Sequence, residues 1–227
     1  MSGFMTSSIG KKVVMSVSGL FLIVFLLVHL TLNLFLVFDD SGDLFNMGAH
    51  FMGTNPLIKI MEPVLALGFI IHMIWAAVLT LQNMKARPIK YAVQKSSANS
   101  SWASRNMFIL GGTVLTFLVL HIFNFYWKIK VSGSPLLEEV HVNGVAMENA
   151  YLLVSTLFKG SALYCVIYML GAAFLGLHLT HGFWSAFQSV GFSNDAWRKR
   201  LGYVSYFFAI VIGLGFAIIP LYFMIKF

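Results

Sequence analysis

Five stretches of this chain run for more than twenty residues without an Asp, Glu, Lys or Arg: residues 13–38, 63–84, 106–127, 160–194 and 201–225. A hydrocarbon core about 30 Å thick needs roughly 20 helical residues at about 1.5 Å each, so every run can cross a bilayer once. The expected fold is an all-α integral membrane protein, with helices over about residues 10–38, 56–84, 104–128, 155–192 and 199–226 of a single transmembrane domain, 1–227. A β-barrel is excluded, because barrel strands of about ten residues alternate in polarity and these runs are continuously apolar. Composition agrees: 59% of residues are hydrophobic and 10% charged, against about 25% charged in ordinary globular chains. The first run is longer than a signal-peptide core and lacks a small-residue cleavage site after it, so it is expected to be retained. Cys165 is the single cysteine and has no intrachain partner.

Charge orients the spans. Alternate loops place ten basic residues and only Asp195 on one side: Lys11, Lys12, Lys85, Arg87, Lys90, Lys95, Arg105, Arg198, Lys199 and Arg200. The other side takes five basic residues (Lys59, Lys128, Lys130, Lys159 and Lys226) with the remaining seven acids. The positive-inside rule then sets the amino terminus in the cytoplasm and the carboxyl terminus outside. The basic face suits anionic lipid, and equally a docking surface for a soluble partner. No nucleic-acid motif accompanies it.

Among the connections, residues 39–62 form an outer segment with room for a short helix. Asn55 can cap and Pro56 can take the first helical position, so that helix II starts before Glu62 and Pro63 kinks it. The Ser-rich stretch within 85–105 reads as a cytoplasmic linker, and Ser132 to Pro135 as a turn in the second outer loop.

The chemistry lies in the histidines. Of seven, five fall inside the apolar runs: His29, His72, His121, His178 and His181. His50 and His141 fall in outer loops, as solvated side chains. An ionisable group at bilayer depth is costly and normally faces the bundle interior with a partner. One such residue is as well explained by hydrogen-bonded packing; four helices each carrying one point to a cofactor. Imidazoles on separate helices, without thiolate or carboxylate in the spans, suit haem iron, which takes two axial ligands, better than zinc, which takes four converging ones.

Depth sorts them into pairs. His29 stands ten residues from Asp39, about 15 Å, and His121 seven residues from Lys128, about 10 Å, so both lie in the outer half. His181, 22 residues from Lys159 or about 33 Å, lies in the inner half. With helix II starting at Pro56, His72 is about 24 Å along it and becomes the mate of His181. Gly19, Gly111 and Gly171 each stand ten residues before a histidine, at the level where a second ring can press against the helix; small residues also serve plain helix packing.

The stretch SIGKKVVMSVSGLFLIVFLLVHLTLN over residues 8–33, His72 in FIIHMIWA before Arg87-Pro88, His121 in FLVLHIFNFYW, and His181-Gly182 in LTHGFWSAFQSVGF carry a resemblance. Across all five helices the chain resembles the cytochrome b membrane anchors of succinate dehydrogenases and fumarate reductases, in the single-chain, five-helix, dihaem class. The resemblance implies a haem-binding core of helices I to IV plus a fifth helix, and two haem b groups. The outer haem iron falls to His29 and His121, the inner to His72 and His181, the family's fourth ligand being followed by glycine, here Gly182. His178 is then a polar neighbour. Ser16 matches a family serine near the haem propionates. Gln188 stands where a relative has arginine, and Leu179 where some relatives carry a buried glutamate, so no proton route through that position is implied.

The chain lacks a nucleotide-binding glycine loop, a cysteine cluster and a catalytic triad, so dicarboxylate chemistry requires other subunits. The resemblance implies a flavoprotein subunit with FAD and an iron-sulfur subunit on the cytoplasmic face of the cell membrane. Electrons would pass between the clusters and a membrane quinone, menaquinone by preference, making the chain the quinone-reactive subunit of a respiratory complex serving the tricarboxylic acid cycle. No residue of this chain is expected to be catalytic toward the dicarboxylate. Glu62 can handle quinone protons, or can simply be an interfacial carboxylate near Lys59. Two other readings stay open: a bis-histidine membrane cytochrome with another donor, and a transporter using membrane histidines for metal ions or protons, although the carboxylates and broken helices of such a site are missing.

Overall fold

A computed structural model describes residues 7–85, 101–192 and 194–227. The Arg87-Pro88 pair and the Ser-rich stretch up to residue 100, expected to link helices II and III, lie outside the described residues, whereas Ser101 caps a short helix. Of the described residues 85% are helical, and among them five helices are long and apolar enough to cross a membrane, as in a multi-pass membrane protein. The elements are α1 (Ser8–Phe38), α2 (Asp43–Thr54), α3 (Pro56–Lys85), α4 (Trp102–Arg105), α5 (Met107–His121), two π-helical segments (Ile122–Tyr126 and Lys128–Ser132), β1 (Glu139–Val142), β2 (Val145–Glu148), α6 (Ala150–Gly160), α7 (Ala162–Ser189) and α8 (Asp195–Lys226). The five spans are α1, α3, α5 with its π extension, α7 and α8.

Local sequence sets the ends of these helices. Asn55 accepts hydrogen bonds from the backbone N–H of Leu57 (2.9 Å) and Ile58 (3.4 Å), and α3 opens at Pro56, as the capping pattern predicts. Pro63 lies inside α3, where it removes the bond its N–H would give to the carbonyl four residues back. Asn194 caps α8 through the Trp197 N–H at 2.9 Å, so the fifth span starts four residues earlier than expected. The fourth span differs more: Ser161 is extended (φ −157°, ψ 109°) and caps α7, so the helix expected to begin near residue 155 is two helices joined at a break. The third span ends at Ser132 in π-helical turns rather than near residue 128.

Packing is uneven. The closest pair is α7 with α8, where Gly176 and Gly213 let backbones meet: a Cβ on Gly176 would stand 3.1 Å from the Ala209 carbonyl oxygen. Between lipid-soluble helices such small residues supply the van der Waals contact that the hydrophobic effect does not. Ile23, Leu30, Leu179, Phe183, Leu201, Ala209 and Ile212 form one core cluster between α1, α7 and α8; Leu36, Val154, Phe158, Cys165, Tyr168, Ile219 and Phe223 form a second. In contrast α3 buries no residue, leans chiefly on α1 and touches α5 only lightly.

The end of the bundle that holds Asp39, Asp40 and Glu62 carries a cap. Buried Asn46 of α2 accepts from the Tyr151 N–H (2.8 Å) and donates to Asn149 Oδ1 (3.3 Å), tying α2 to the start of α6. The β1–β2 hairpin, unexpected in an all-α fold, turns at Asn143 and Gly144, both with positive φ (51° and 80°). Asp39 accepts from the Leu44 N–H (2.9 Å) and from Ser41, which holds its carboxyl below the usual range and anchors the first turn of α2. Tyr222 donates to Asp40, which also pairs with Lys226, closing α8 onto α1.

Candidate functional site

All five histidines of the apolar runs turn toward the bundle, half-buried, and four of them form two pairs at different levels. In the first, His29 of α1 and the last residue of α5, His121, stand with ring centroids 5.6 Å apart and planes at 87°. Aromatic rings wall this pair: Phe25 and Phe216 against His29 (5.1 and 5.6 Å), Phe125 and Tyr168 against His121 (5.3 and 6.1 Å). The Asn33 amide donates to the His29 carbonyl (2.8 Å) and lies 3.4 Å from His29 Nδ1.

The second pair joins α3 to α7, and here the structure departs from the sequence reading. His72 faces His178, ring centroids 6.5 Å apart and planes at 68°, whereas His181, expected as its mate, packs edge-on against Trp184 at 5.2 Å. The reason is helical geometry. Positions three apart point about 60° away from each other, so one residue of the two can look straight at α3. Ser205 of α8 helps fix that rotation, its hydroxyl donating to the carbonyls of Leu179 (3.0 Å) and Thr180 (2.7 Å) between the two histidines.

Glycines surround the second pair. A Cβ on Gly19 would lie 3.7 Å from His72 Cε1, one on Gly111 3.7 Å from His178 Cε1, and one on Gly182 3.8 Å from His178 Cδ2. Thus Gly182, singled out as the residue following His181, packs against His178. Gly19 and Gly111 occupy the level expected of them, about 15 Å along the helix from His29 and His121. Gly171 does not: a Cβ there would run into Phe117 at 2.4 Å, which is helix packing. Ser16 is buried on α1, but it is Ser18, two residues on, whose hydroxyl reaches His72 Nδ1 (3.4 Å). The Nδ1 atoms of His178 and His181 are buried without a hydrogen-bond partner among the described residues.

Near the acidic end, Glu62 of α3 is not paired with Lys59. Its carboxylate accepts from the Tyr126 hydroxyl (2.7 Å) and lies 3.6 Å from Lys130 Nζ. Both partners sit on the π-helical extension of α5, as does buried Asn124, which donates to the Tyr168 hydroxyl (3.0 Å). Single π turns are rare and recur at functional sites. Of the two remaining histidines, His50 lies on α2 and His141 is exposed on β1, 4.0 Å from Glu139.

The donor set can be tested against what it could hold. An imidazole nitrogen binds a first-row metal ion at about 2 Å, so two rings sharing one ion stand roughly 6 Å apart once each half-width of about 1 Å is added. The two separations, 5.6 and 6.5 Å, bracket that value. No group of three or more His, Cys, Asp or Glu side chains converges among the described residues. Each pair therefore fits an ion that brings its own equatorial ligands and asks the protein for two axial ones, as in a porphyrin. No family model, no curated protein and no solved structure matches the chain.

Proposed function

We propose that this chain is a dihaem cytochrome b, the membrane anchor of a succinate:quinone oxidoreductase, passing electrons between an iron-sulfur subunit and a membrane quinone. The single observation that carries this reading is the division of four imidazoles into two opposed pairs at two depths, His29 with His121 and His72 with His178. When bound, haem would be held by these imidazoles and would supply one-electron redox chemistry. The chain's own residues hold the rings, exclude water and set the local polarity. Phe25, Phe125, Phe216 and Tyr168 give the outer pair an aromatic, low-dielectric wall. For the inner pair, Gly19, Gly111 and Gly182 line the imidazoles at packing distance. In this reading His178 replaces His181 as the inner ligand from α7, and His181 becomes its neighbour.

The basic end faces the cytoplasm by the positive-inside rule, in the inner membrane of the cell, and offers Arg198, Lys199 and Arg200 to the iron-sulfur and flavoprotein subunits. At the opposite end Glu62, held by Tyr126 and Lys130, is the group suited to exchange protons with a quinone, menaquinone in the first instance. The test is purification from membranes followed by a reduced-minus-oxidised spectrum and a haem count. Two b haems per chain with co-purifying flavin support the anchor. Haem without flavin indicates a cytochrome with another donor, and the absence of haem overturns the reading.

A further inference from the structure

The two nitrogens of an imidazole are not equivalent. Whichever one binds a metal ion must be free of its proton, and the hydrogen bond made by the other nitrogen decides which that is. For His72 the sequence of α1 supplies that bond. Ser18 is buried, and its hydroxyl hydrogen is committed to the carbonyl of Met15 three residues back, at 3.0 Å. With the donor function spent, the oxygen's lone pairs are what remain for His72, whose Nδ1 lies 3.4 Å away. An oxygen in that state can only accept, so Nδ1 carries the proton and Nε2 is left bare. On the next residue, Gly19, a Cβ would meet Cε1 at 3.7 Å, an ordinary packing contact.

We propose that Ser18 forms a seat for His72, fixing the Nε2-liganding tautomer and the orientation of the inner imidazole. Ser18 is a positioning residue, and the inference rests on the reading of His72 as a haem ligand. Its mate has no such support, since Nδ1 of His178 lacks a partner among the described residues. The inner pair is therefore asymmetric: one ligand meets a hydroxyl acceptor, and the other lies at packing distance from Gly111 and Gly182.

An acceptor on Nδ1–H makes Nε2 the stronger base and favours the oxidised metal ion, and partners of this kind typically change ligand function about tenfold or more. The experiment is potentiometry of the purified complex carrying Ser18→Ala or Ser18→Thr, with a pyridine haemochrome count on each. Ser18→Ala is expected to keep two haems and to shift the reduction equilibrium of one of them about tenfold toward the reduced form, or 59 mV upward for one electron. The other haem should stay where it is, and Ser18→Thr should behave as the parent.

Two haems with both potentials unmoved in Ser18→Ala overturn the proposal. Should Ser18→Ala fail to assemble, Ser18→Thr and Ser18→Val decide the matter, because they share a shape and differ in the hydroxyl. The proposal stands if only Val moves the inner potential, and it falls if the two behave alike. A parent protein without haem would instead sink the cytochrome reading itself, and the seat with it, a failure the haem count distinguishes from the others.

Discussion

Across the bundle from α3, the imidazole of His72 looks at His178, 6.5 Å between ring centroids, while His181 one turn further along α7 rests its edge on the Trp184 indole. Trp184 in turn lies beneath the Arg198 guanidinium at 5.6 Å, so the side chains of α7 near its basic end divide into one that faces inward and others that reach toward the surface. The division separates the two histidines experimentally. His178→Ala is expected to remove one haem of the two, and His181→Ala to leave both, with at most a small shift of one spectrum. A haem count on the two purified variants checks this, and loss on His181→Ala with retention on His178→Ala would restore the assignment read from the sequence.

The other pair answers separately. His29 and His121 touch each other and their own set of aromatic rings, and Gly19 on α1 and Gly111 on α5, each ten residues before one of them, border the second pair. Either His29→Ala or His121→Ala should therefore delete one haem while leaving the haem that depends on His72. Low-temperature difference spectra distinguish the two signals, and a variant that keeps both haems would falsify the pairing.

Glu62, Tyr126 and Lys130 bridge α3 to the π-helical extension of α5. Glu62→Gln removes the carboxylate while keeping its shape, and is expected to lower menaquinol oxidation by the assembled complex at least tenfold with haem content intact. Tyr126→Phe should give a smaller loss, since Lys130 still holds the carboxylate. Unchanged turnover in Glu62→Gln with full haem content would remove Glu62 from the mechanism.

Ser205 donates from α8 to two carbonyls of α7, each of which keeps its own helical N–H partner. Ser205→Ala thus loses net hydrogen bonding without orphaning a carbonyl, at a cost of about 1 kcal/mol. Thermal unfolding in detergent should show a midpoint lower by roughly 2–4 °C for a chain of this length.

Much of this architecture is legible in the sequence because lipid imposes a simple rule: a backbone without water must satisfy itself, and long uncharged runs become helices. The five spans, the cap at Asn55 and the start of α3 at Pro56 all follow from that rule and from capping chemistry. The depth of each histidine follows as well, since rise per residue is constant. What it does not yield is azimuth. Residues 178 and 181 differ by one turn in depth but by the direction they face, and that direction is set by Ser205 and by the Gly176–Gly213 contact with α8, neither of which is local to the histidines. Ser18 was hidden for the same reason, as it is one of two serines within three residues. The hairpin had a signal in Asn143-Gly144 between alternating Val-rich segments, a pattern favouring a tight two-residue turn. The break at Ser161 had one too, in the Gly160-Ser161 pair.

Asp39 gives a pH prediction. Its folded-state pKa lies below the usual 3.8 because backbone and hydroxyl donors at Leu44 and Ser41 favour the charged form. The contribution of a group with a depressed pKa is fully present above the unfolded value and is lost as pH falls through the folded one. The first turn of α2 should accordingly loosen only below the ordinary carboxylate range, seen as faster hydrogen exchange at the Leu44 amide. Asp39→Asn should flatten that dependence.

The wide turns that follow His121 hold one more residue per turn than a regular helix would over the same rise. Were the same residues wound at the regular 3.6 per turn, everything beyond the first wide turn would swing about 100° around the axis. Tyr126 and Lys130 would then face away from α3, and the carboxylate they embrace would be left to water and lipid headgroups. The irregular winding works as a gear tooth, setting the rim of the protein in phase with the imidazole below it.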